Sequence, residues 1–149
     1  MDSEILRFYT GVDTDRSNRS FYDIINADDA FWEENHDHIQ WVFPLPEPSE
    51  AQPQSPVLEE RLFSHFSLNL TSRMRMVAAL GRFVAFLDRS VEWRAEPNHN
   101  QLRITRAIRS LVLAGLSPLA EEFLNYIQDR VSPAVLERSH DFWMEALKR

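Results

Sequence analysis

The 149 residues of this chain carry a net charge of −7 and no cysteine, which excludes disulfides, thiolate nucleophiles and zinc sites that need cysteine ligands. A chain of this length is typical of one ordinary domain, so we expect residues 1–149 to form a single domain. The sequence has no apolar run of signal-peptide length and no 18-residue apolar stretch, which favours a cytoplasmic protein without a membrane span.

The charge is divided unevenly along the chain. Residues 1–60 contain 14 acidic side chains and 3 arginines, a net −11, whereas residues 61–149 contain 9 acidic and 13 basic side chains, a net +4. Opposite charges attract, so we expect the acidic N-terminal part to pack on the basic C-terminal part. A basic groove that stays open for an acidic partner is the alternative.

The first predicted elements are short helices. The chain has only three glycines and no Asn-Gly, Asp-Gly or Gly-Gly pair, which leaves little provision for tight β-hairpins. Asp2, Ser3 and Glu4 predict the capped start of a helix that ends at Gly11. Residues 21–25 predict a further turn of helix.

The next helix is followed by a segment without helical periodicity. Asp28 is expected to cap a helix that continues to about Trp41, because carboxylates in its first turn lie near the positive end of the helix dipole. Five prolines between residues 44 and 56 exclude a helix there. We therefore expect a proline-rich, extended linker after the second helix.

The second half of the chain shows the strongest helical periodicity. Residues 57–66 predict one helix. Residues 69–88 predict the central helix, whose inner stripe is expected to comprise Met76, Val77, Leu80, Phe83, Val84 and Leu87. Residues 98–115 predict the next helix, with an inner stripe of Leu102, Ile104, Ile108, Leu111 and Val112.

Two Ser-Pro pairs predict the last two helices. In Ser117-Pro118 and in Ser132-Pro133 the serine is expected to be the N-cap and the proline the first helical residue. The connections before these pairs are short, which is typical of helices that are consecutive neighbours in a bundle. The predicted fold is therefore all-α, a single compact bundle of about six to seven helices.

Four stretches resemble the opioid growth factor receptor domain family, and they occur in the family's order: Phe8 to Gly11, Glu34 to Leu45, Asn100 to Arg106, and Ser139 to Trp143. The resemblance implies an all-helical fold and, for the animal members, a receptor for an opioid peptide that is associated with the nucleus and restrains growth. Arginine outnumbers lysine by 15 to 1, and we expect the protein to be without the long repeat-bearing tail of the animal proteins. We interpret the chain as a stand-alone bacterial member of the family.

Two clusters of side chains indicate a binding site. Two large aromatic residues lie at the end of a helix that a proline terminates. Three arginines recur at every third position along another helix. The first two lie near its positive N-terminus, where a cation is unfavourable unless a negative charge lies close to it. The compensation is either an internal carboxylate, with Glu33, Glu34 and Asp37 as candidates, or an external anion. We expect a peptide or protein ligand in a shared cleft lined by Gln40, Trp41, Phe43, His99, Arg103, Arg106 and Arg109.

The sequence indicates a binding module rather than an enzyme. It has no Gly-rich phosphate loop, no Gly-x-Ser-x-Gly elbow and no His-Glu-x-x-His motif, and we expect no cofactor. His36 and His38 do not suggest a metal site, because residues two apart on a helix point away from each other. One alternative is an anion or nucleic-acid binder that uses the arginine helix; another is a structural subunit of an oligomer or complex. Nucleic acid is disfavoured, because the second helix of the possible helix-turn-helix at residues 103–127 is acidic.

Overall fold

The computed structural model describes residues 3–148, and all regular elements in this range are helical. The predicted all-α class is therefore confirmed. The α-helices are α1 (Glu4–Thr10), α2 (Phe21–Ile25), α3 (Asp29–Glu34), α4 (Ile39–Val42), α5 (His65–Leu68), α6 (Leu70–Arg89), α7 (His99–Leu113), α8 (Ser117–Gln128) and α9 (Pro133–Leu147). Two 3-10 helices span Glu60–Ser64 and Glu92–Arg94. None of the helices within residues 3–148 has the length and apolarity that crossing a membrane requires.

Short sequence patterns predicted the positions of the first two helices correctly. The Ser3 side chain accepts from the backbone N–H of Leu6 and caps α1, and Gly11 ends the helix with φ +81°, a left-handed conformation that glycine adopts without strain. Asp2, the other predicted capping residue, lies outside the described residues. α2 follows at the predicted turn and begins with a capping box between Ser20 and Asp23.

The predicted continuous helix over residues 28–41 is wrong, because the structure divides it into α3 and α4. Asp28 caps α3 as predicted, but Asn35 adopts an extended backbone conformation that ends the helix. The Asn35 side chain donates to Asp37 Oδ1 (2.7 Å) and to His38 Nδ1 (3.1 Å), so local side-chain hydrogen bonds replace the next helical turn. This division accounts for part of the difference between the predicted six to seven helices and the larger number observed.

The helix predicted over residues 57–66 also differs from the structure. It begins only at Glu60, as a 3-10 helix, and continues as α5 to Leu68. Residues 43–59, which include the proline-rich segment, contain no helix. Leu58 nevertheless donates a backbone hydrogen bond to Leu45 O (3.0 Å), so the two ends of this segment lie side by side.

The core forms around α6 and α7. Most of the predicted inner residues of α6 are buried, with Met76, Phe83 and Leu87 at 0% exposure. Val77 is 43% exposed and Leu102 of α7 is 73% exposed, so both predictions of an inner position are wrong. Val77 shares the outward face of α6 with Leu70 and Met74, which precede it by seven and three residues.

The two Ser-Pro pairs differ in the structure. Ser132 caps α9, since its side chain accepts from the backbone N–H of Val135 (3.3 Å). Ser117 is instead the first residue of α8, and no side chain caps that helix. The backbone N–H of Ala120 donates to Leu116 O (3.0 Å) as the first hydrogen bond of α8, which makes Leu116 the capping position and places Ser117 inside the helix.

Contacts between the acidic and basic parts join the two halves of the chain. Asp29 at the start of α3 pairs with Arg89 (2.6 Å) and with Arg82 (2.9 Å), both on α6. The hydrogen bonds from Arg89 and Arg82 lower the pKa of Asp29 to about 2. In the C-terminal part, α7 packs against α8 and α9, as the short connections predicted.

The two serines offer a matched test of helix capping. Ser132→Ala should lower the free energy of unfolding by about 1 kcal/mol, because it removes the acceptor for an otherwise unpaired N–H at the start of α9. Ser117→Ala should change it by less than about 0.5 kcal/mol, because Ser117 provides no cap. Urea unfolding of both variants measures the difference, and equal losses would contradict the capping assignment.

Candidate functional site

Arg103 is a structural cation. Only 6% of it is exposed, and its guanidinium donates to the backbone carbonyls of Trp32 and Asn35, the latter at 2.6 Å. These carbonyls lie where α3 ends, so Arg103 supplies the donors that the missing next turn would have supplied. Burial lowers the pKa of Arg103 to about 10.

Arg103 and Arg109 have internal partners, but these differ from the carboxylates expected. Arg103 binds carbonyl oxygens, and Arg109 pairs with Glu47. Within residues 3–148, the carboxylates proposed from the sequence do not pair with the three arginines: Glu33 accepts from Asn100 (3.0 Å) and lies 3.5 Å from His99, both on α7, and Asp37 accepts from Arg19 (2.8 Å). Hydrogen bonds to Glu34 from these arginines are likewise absent within residues 3–148.

Arg106 differs from both of its neighbours. Its Nε donates to Phe43 O (2.7 Å), which places the guanidinium at the C-terminal end of α4. Burial lowers the pKa of Arg106 to about 10, although the nearby charge of Glu47 raises it, and the side chain is charged at neutral pH. In the described part of the chain, Nη1 and Nη2 of Arg106 have no hydrogen-bond partner.

The aromatic pair lies in the core, which corrects the expectation of a single cleft shared with the arginines. Trp41 is 3% exposed and Phe43 is 0% exposed. The Trp41 ring packs edge-on against Phe8 (5.4 Å between centroids), and Phe43 packs against Phe83 (5.8 Å). Burial of a large aromatic surface explains this placement, since each ring removes on the order of 150 to 250 Å² from water.

A cavity of about 290 Å³ lies between α4, the following loop and α7, and we call it the α4–α7 cavity. Its lining comes from residues between 36 and 40, from residues between 45 and 51, and from His99, Leu102, Arg103 and Arg106 of α7. Four of the seven predicted site residues, Gln40, His99, Arg103 and Arg106, therefore meet here. Trp41, Phe43 and Arg109 do not line this cavity.

The residues of the cavity that the sequence did not single out are mostly apolar. The wall opposite α7 is formed by Ile39, Leu45, Pro48 and Ala51, and the exposed Leu102 adds an apolar side chain from α7 itself. Leu45 and Pro48 belong to the proline-rich segment, which the sequence suggested only as a linker. Solvent exposure marks Leu102 as a cavity residue, and this exposure is seen only in the structure.

The histidines near the cavity do not form a metal site. The rings of His36 and His99 pack edge to face with 5.4 Å between centroids, and His99 Nε2 lies 3.5 Å from Glu33. Across residues 3–148 no group of three histidine, aspartate or glutamate residues is arranged to hold a metal ion. Burial, with a further contribution from Arg103, lowers the pKa of His99.

His38 lies behind the cavity and is fully buried. Its ring packs against Trp32 (4.7 Å) and Phe31 (4.9 Å), and Nδ1 accepts from Asn35, so the ring proton resides on Nε2. Burial, reinforced by the charges of Arg103 and Arg19, lowers the pKa of His38 to about 3. The folded protein therefore keeps His38 neutral well below its ordinary pKa.

Comparison with curated proteins finds three opioid growth factor receptors. The chain is 33% identical to the receptor of Homo sapiens, over 78% of this chain and 20% of the receptor. It is 32% identical to the receptors of Mus musculus and Rattus norvegicus, over 78% of this chain and 22% and 24% of those receptors. The chain thus spans about a fifth of the length of these relatives. Neither a family model nor a solved structure matches the chain.

The different partners of Arg103 and Arg106 predict different effects on stability. Arg103→Met should lower the free energy of unfolding by about 3 kcal/mol, because it leaves two backbone carbonyls without a donor. Arg106→Met should cost only about 1 kcal/mol, because it removes one hydrogen bond, to Phe43 O. Urea unfolding at pH 7 measures both values, and an equal or reversed order would contradict the assignment of Arg103 as the structural cation.

His38 should make stability depend on pH. Below its ordinary pKa of 6.5 the unfolded chain protonates this residue, whereas the folded protein does not until about pH 3. Stability is therefore complete above about pH 6.5 and falls as the pH drops, with a loss of about 2 kcal/mol at pH 5 from this group. His38→Phe should remove that part of the loss. Urea unfolding of both proteins at pH 7.5 and pH 5 tests this. If wild type and variant lost the same unfolding free energy between the two pH values, the assignment to His38 would be refuted.

Proposed function

This chain carries an opioid growth factor receptor-like domain, and we propose that the domain is a non-enzymatic binding module that takes a peptide or protein ligand into the α4–α7 cavity. One observation carries the proposal: the cavity combines apolar walls with a desolvated cation, Arg106, whose outer donors are unused within the described chain. A few polar groups that converge in an apolar pocket are typical of ligand sites. The name of the relatives, a growth factor receptor, is consistent with a ligand-binding role.

The size and lining of the cavity favour part of a peptide over a larger ligand. Its volume of about 290 Å³ lies at the lower end of the range for ligand pockets. Ile39, Leu45 and Leu102 offer apolar surface to a side chain, while Gln40 and Arg106 offer hydrogen bonds to a main chain. One or two residues of a peptide fit this combination, and the remainder of the ligand would lie outside on the protein surface.

The second candidate function is anion or nucleic-acid binding through the arginine helix. The unused donors of Arg106 favour an anion. Nucleic acid binding requires several free cations along one surface, whereas Arg103 is occupied by carbonyl oxygens and Arg109 by Glu47. The arrangement therefore supports a single anionic group better than a phosphate backbone.

Filling the cavity should abolish binding. Ala51 is exposed at the cavity wall, so Ala51→Trp should occupy the cavity without disturbing the core. Equilibrium dialysis of the protein against a pool of random tetrapeptides, read by mass spectrometry, should show at least about a tenfold lower bound fraction for this variant. Ala78→Trp makes the same substitution at an exposed position of α6 outside the cavity and should bind like wild type. Undiminished binding by Ala51→Trp would exclude the α4–α7 cavity as the site.

A further inference from the structure

Arg106 is one of the partly buried arginines that donate to a backbone carbonyl and not to a carboxylate, as Arg75 and Arg94 also do, and of these three it is Arg106 that lines the α4–α7 cavity. Arg19 pairs with Asp15 and Asp37, Arg82 pairs with Asp29, and Arg109 pairs with Glu47. Arg106 makes one hydrogen bond, from Nε to Phe43 O, and no carboxylate of residues 3–148 lies within 4.0 Å of it. Its outer edge, Nη1 and Nη2, is thus available to a ligand in the α4–α7 cavity.

A partly buried cation that makes no hydrogen bond to a carboxylate is unfavourable, and an incoming anion would stabilise it. Transfer of a charged group out of water is costly unless the charge is paired and hydrogen-bonded. Burial lowers the pKa of Arg106 to about 10, and the charge of Glu47, which makes no hydrogen bond to Arg106, offsets only part of that effect. A bound anion would restore both the ion pair and the missing hydrogen bonds.

The chemistry of the cavity selects a carboxylate over a phosphate. The two outer nitrogens of a guanidinium match the two oxygens of a carboxylate in a bidentate pair. Glu50 also lines the cavity. Its negative charge would repel a doubly charged phosphate more strongly than a singly charged carboxylate. The apolar residues Ile39 and Leu45 fit an apolar group attached to the carboxylate.

Gln40 supplies a hydrogen-bond acceptor to the cavity. It is 4% exposed and lines the cavity, and its Nε2 donates to His36 O (3.2 Å), which fixes the orientation of the amide. Its Oε1 is a buried acceptor with no partner in the described structure. The ligand should therefore carry an N–H donor close to its carboxylate, and the terminal residue of a polypeptide has this pair of groups.

Building on the proposed function, we propose that the α4–α7 cavity binds the free C-terminal residue of a peptide or protein. The terminal carboxylate accepts from Nη1 and Nη2 of Arg106, and the last backbone N–H donates to Gln40 Oε1. The side chain of the terminal residue packs against the apolar wall formed by Ile39, Leu45 and Leu102. Recognition then depends on the end of the ligand chain rather than on an internal sequence.

The test compares ligands that differ only at the C-terminus. Equilibrium dialysis of the wild-type protein should retain a random tetrapeptide pool with free C-terminal acids about 10- to 100-fold better than the same pool with C-terminal amides. A third pool, with free acids but a methylated last amide nitrogen, should bind at least about fivefold more weakly than the unmethylated acids. Equal retention of acids and amides overturns this proposal and leaves the binding module in place, whereas retention of none of the pools overturns the proposed function itself.

Two further arms identify the partner of the carboxylate. Arg106→Gln should abolish the preference for acids over amides, and Arg138→Gln, at an exposed position of α9 outside the cavity, should keep it. Retention of the preference in Arg106→Gln overturns the role of Arg106. Inorganic phosphate at constant ionic strength should displace the acid pool no better than chloride does. Displacement by phosphate at concentrations comparable to those of the peptides would instead define a phosphate site and overturn the proposal.

Discussion

The hydrogen bonds from Arg103 to the end of α3 are the constraint on which the site depends. A helix that stops at Glu34 leaves carbonyl groups without donors, and buried carbonyls of this kind need partners. Arg103 reaches them from α7, 68 residues farther along the chain than Asn35. The break between α3 and α4 and the position of α7 are therefore coupled, because neither could shift without leaving a buried cation or buried carbonyls unpaired.

This coupling assigns different tasks to neighbouring arginines on one helix. Arg103 is held by the backbone of α3, and Arg109 is held by Glu47 at the edge of the loop. Both contacts hold α7 against the segment that surrounds Arg106. Arg106, which lies between them, uses one donor on Phe43 O and keeps its outer edge free. Its availability is thus a consequence of its neighbours being occupied.

Elements that depend on local chemistry could be predicted from the sequence, and those that depend on distant partners could not. Ser3, Asn69 and Ser132 cap helices through residues three positions away, and such signals are visible in a short stretch. The break after Glu34 combines local hydrogen bonds of the Asn35 side chain with donors from Arg103, far along the chain, and helical periodicity shows neither of them. The same holds for the site: residue type indicated Arg106 and Gln40, but only the tertiary structure separates them from Trp41 and Phe43, which entered the core.

The buried aromatic residues nevertheless contribute to the cavity from behind. Trp41 and Phe43 anchor the end of α4 through Phe8 and Phe83, and they flank Val42, whose carbonyl accepts from the buried Tyr9 hydroxyl. A helix of four residues has little stability of its own, so its orientation is set by these contacts. Because α4 is fixed, Gln40 and the Phe43 carbonyl are held in place at the proposed site. A site organised in this way spends less binding free energy on ordering its own groups, which favours recognition of a small feature such as a chain terminus.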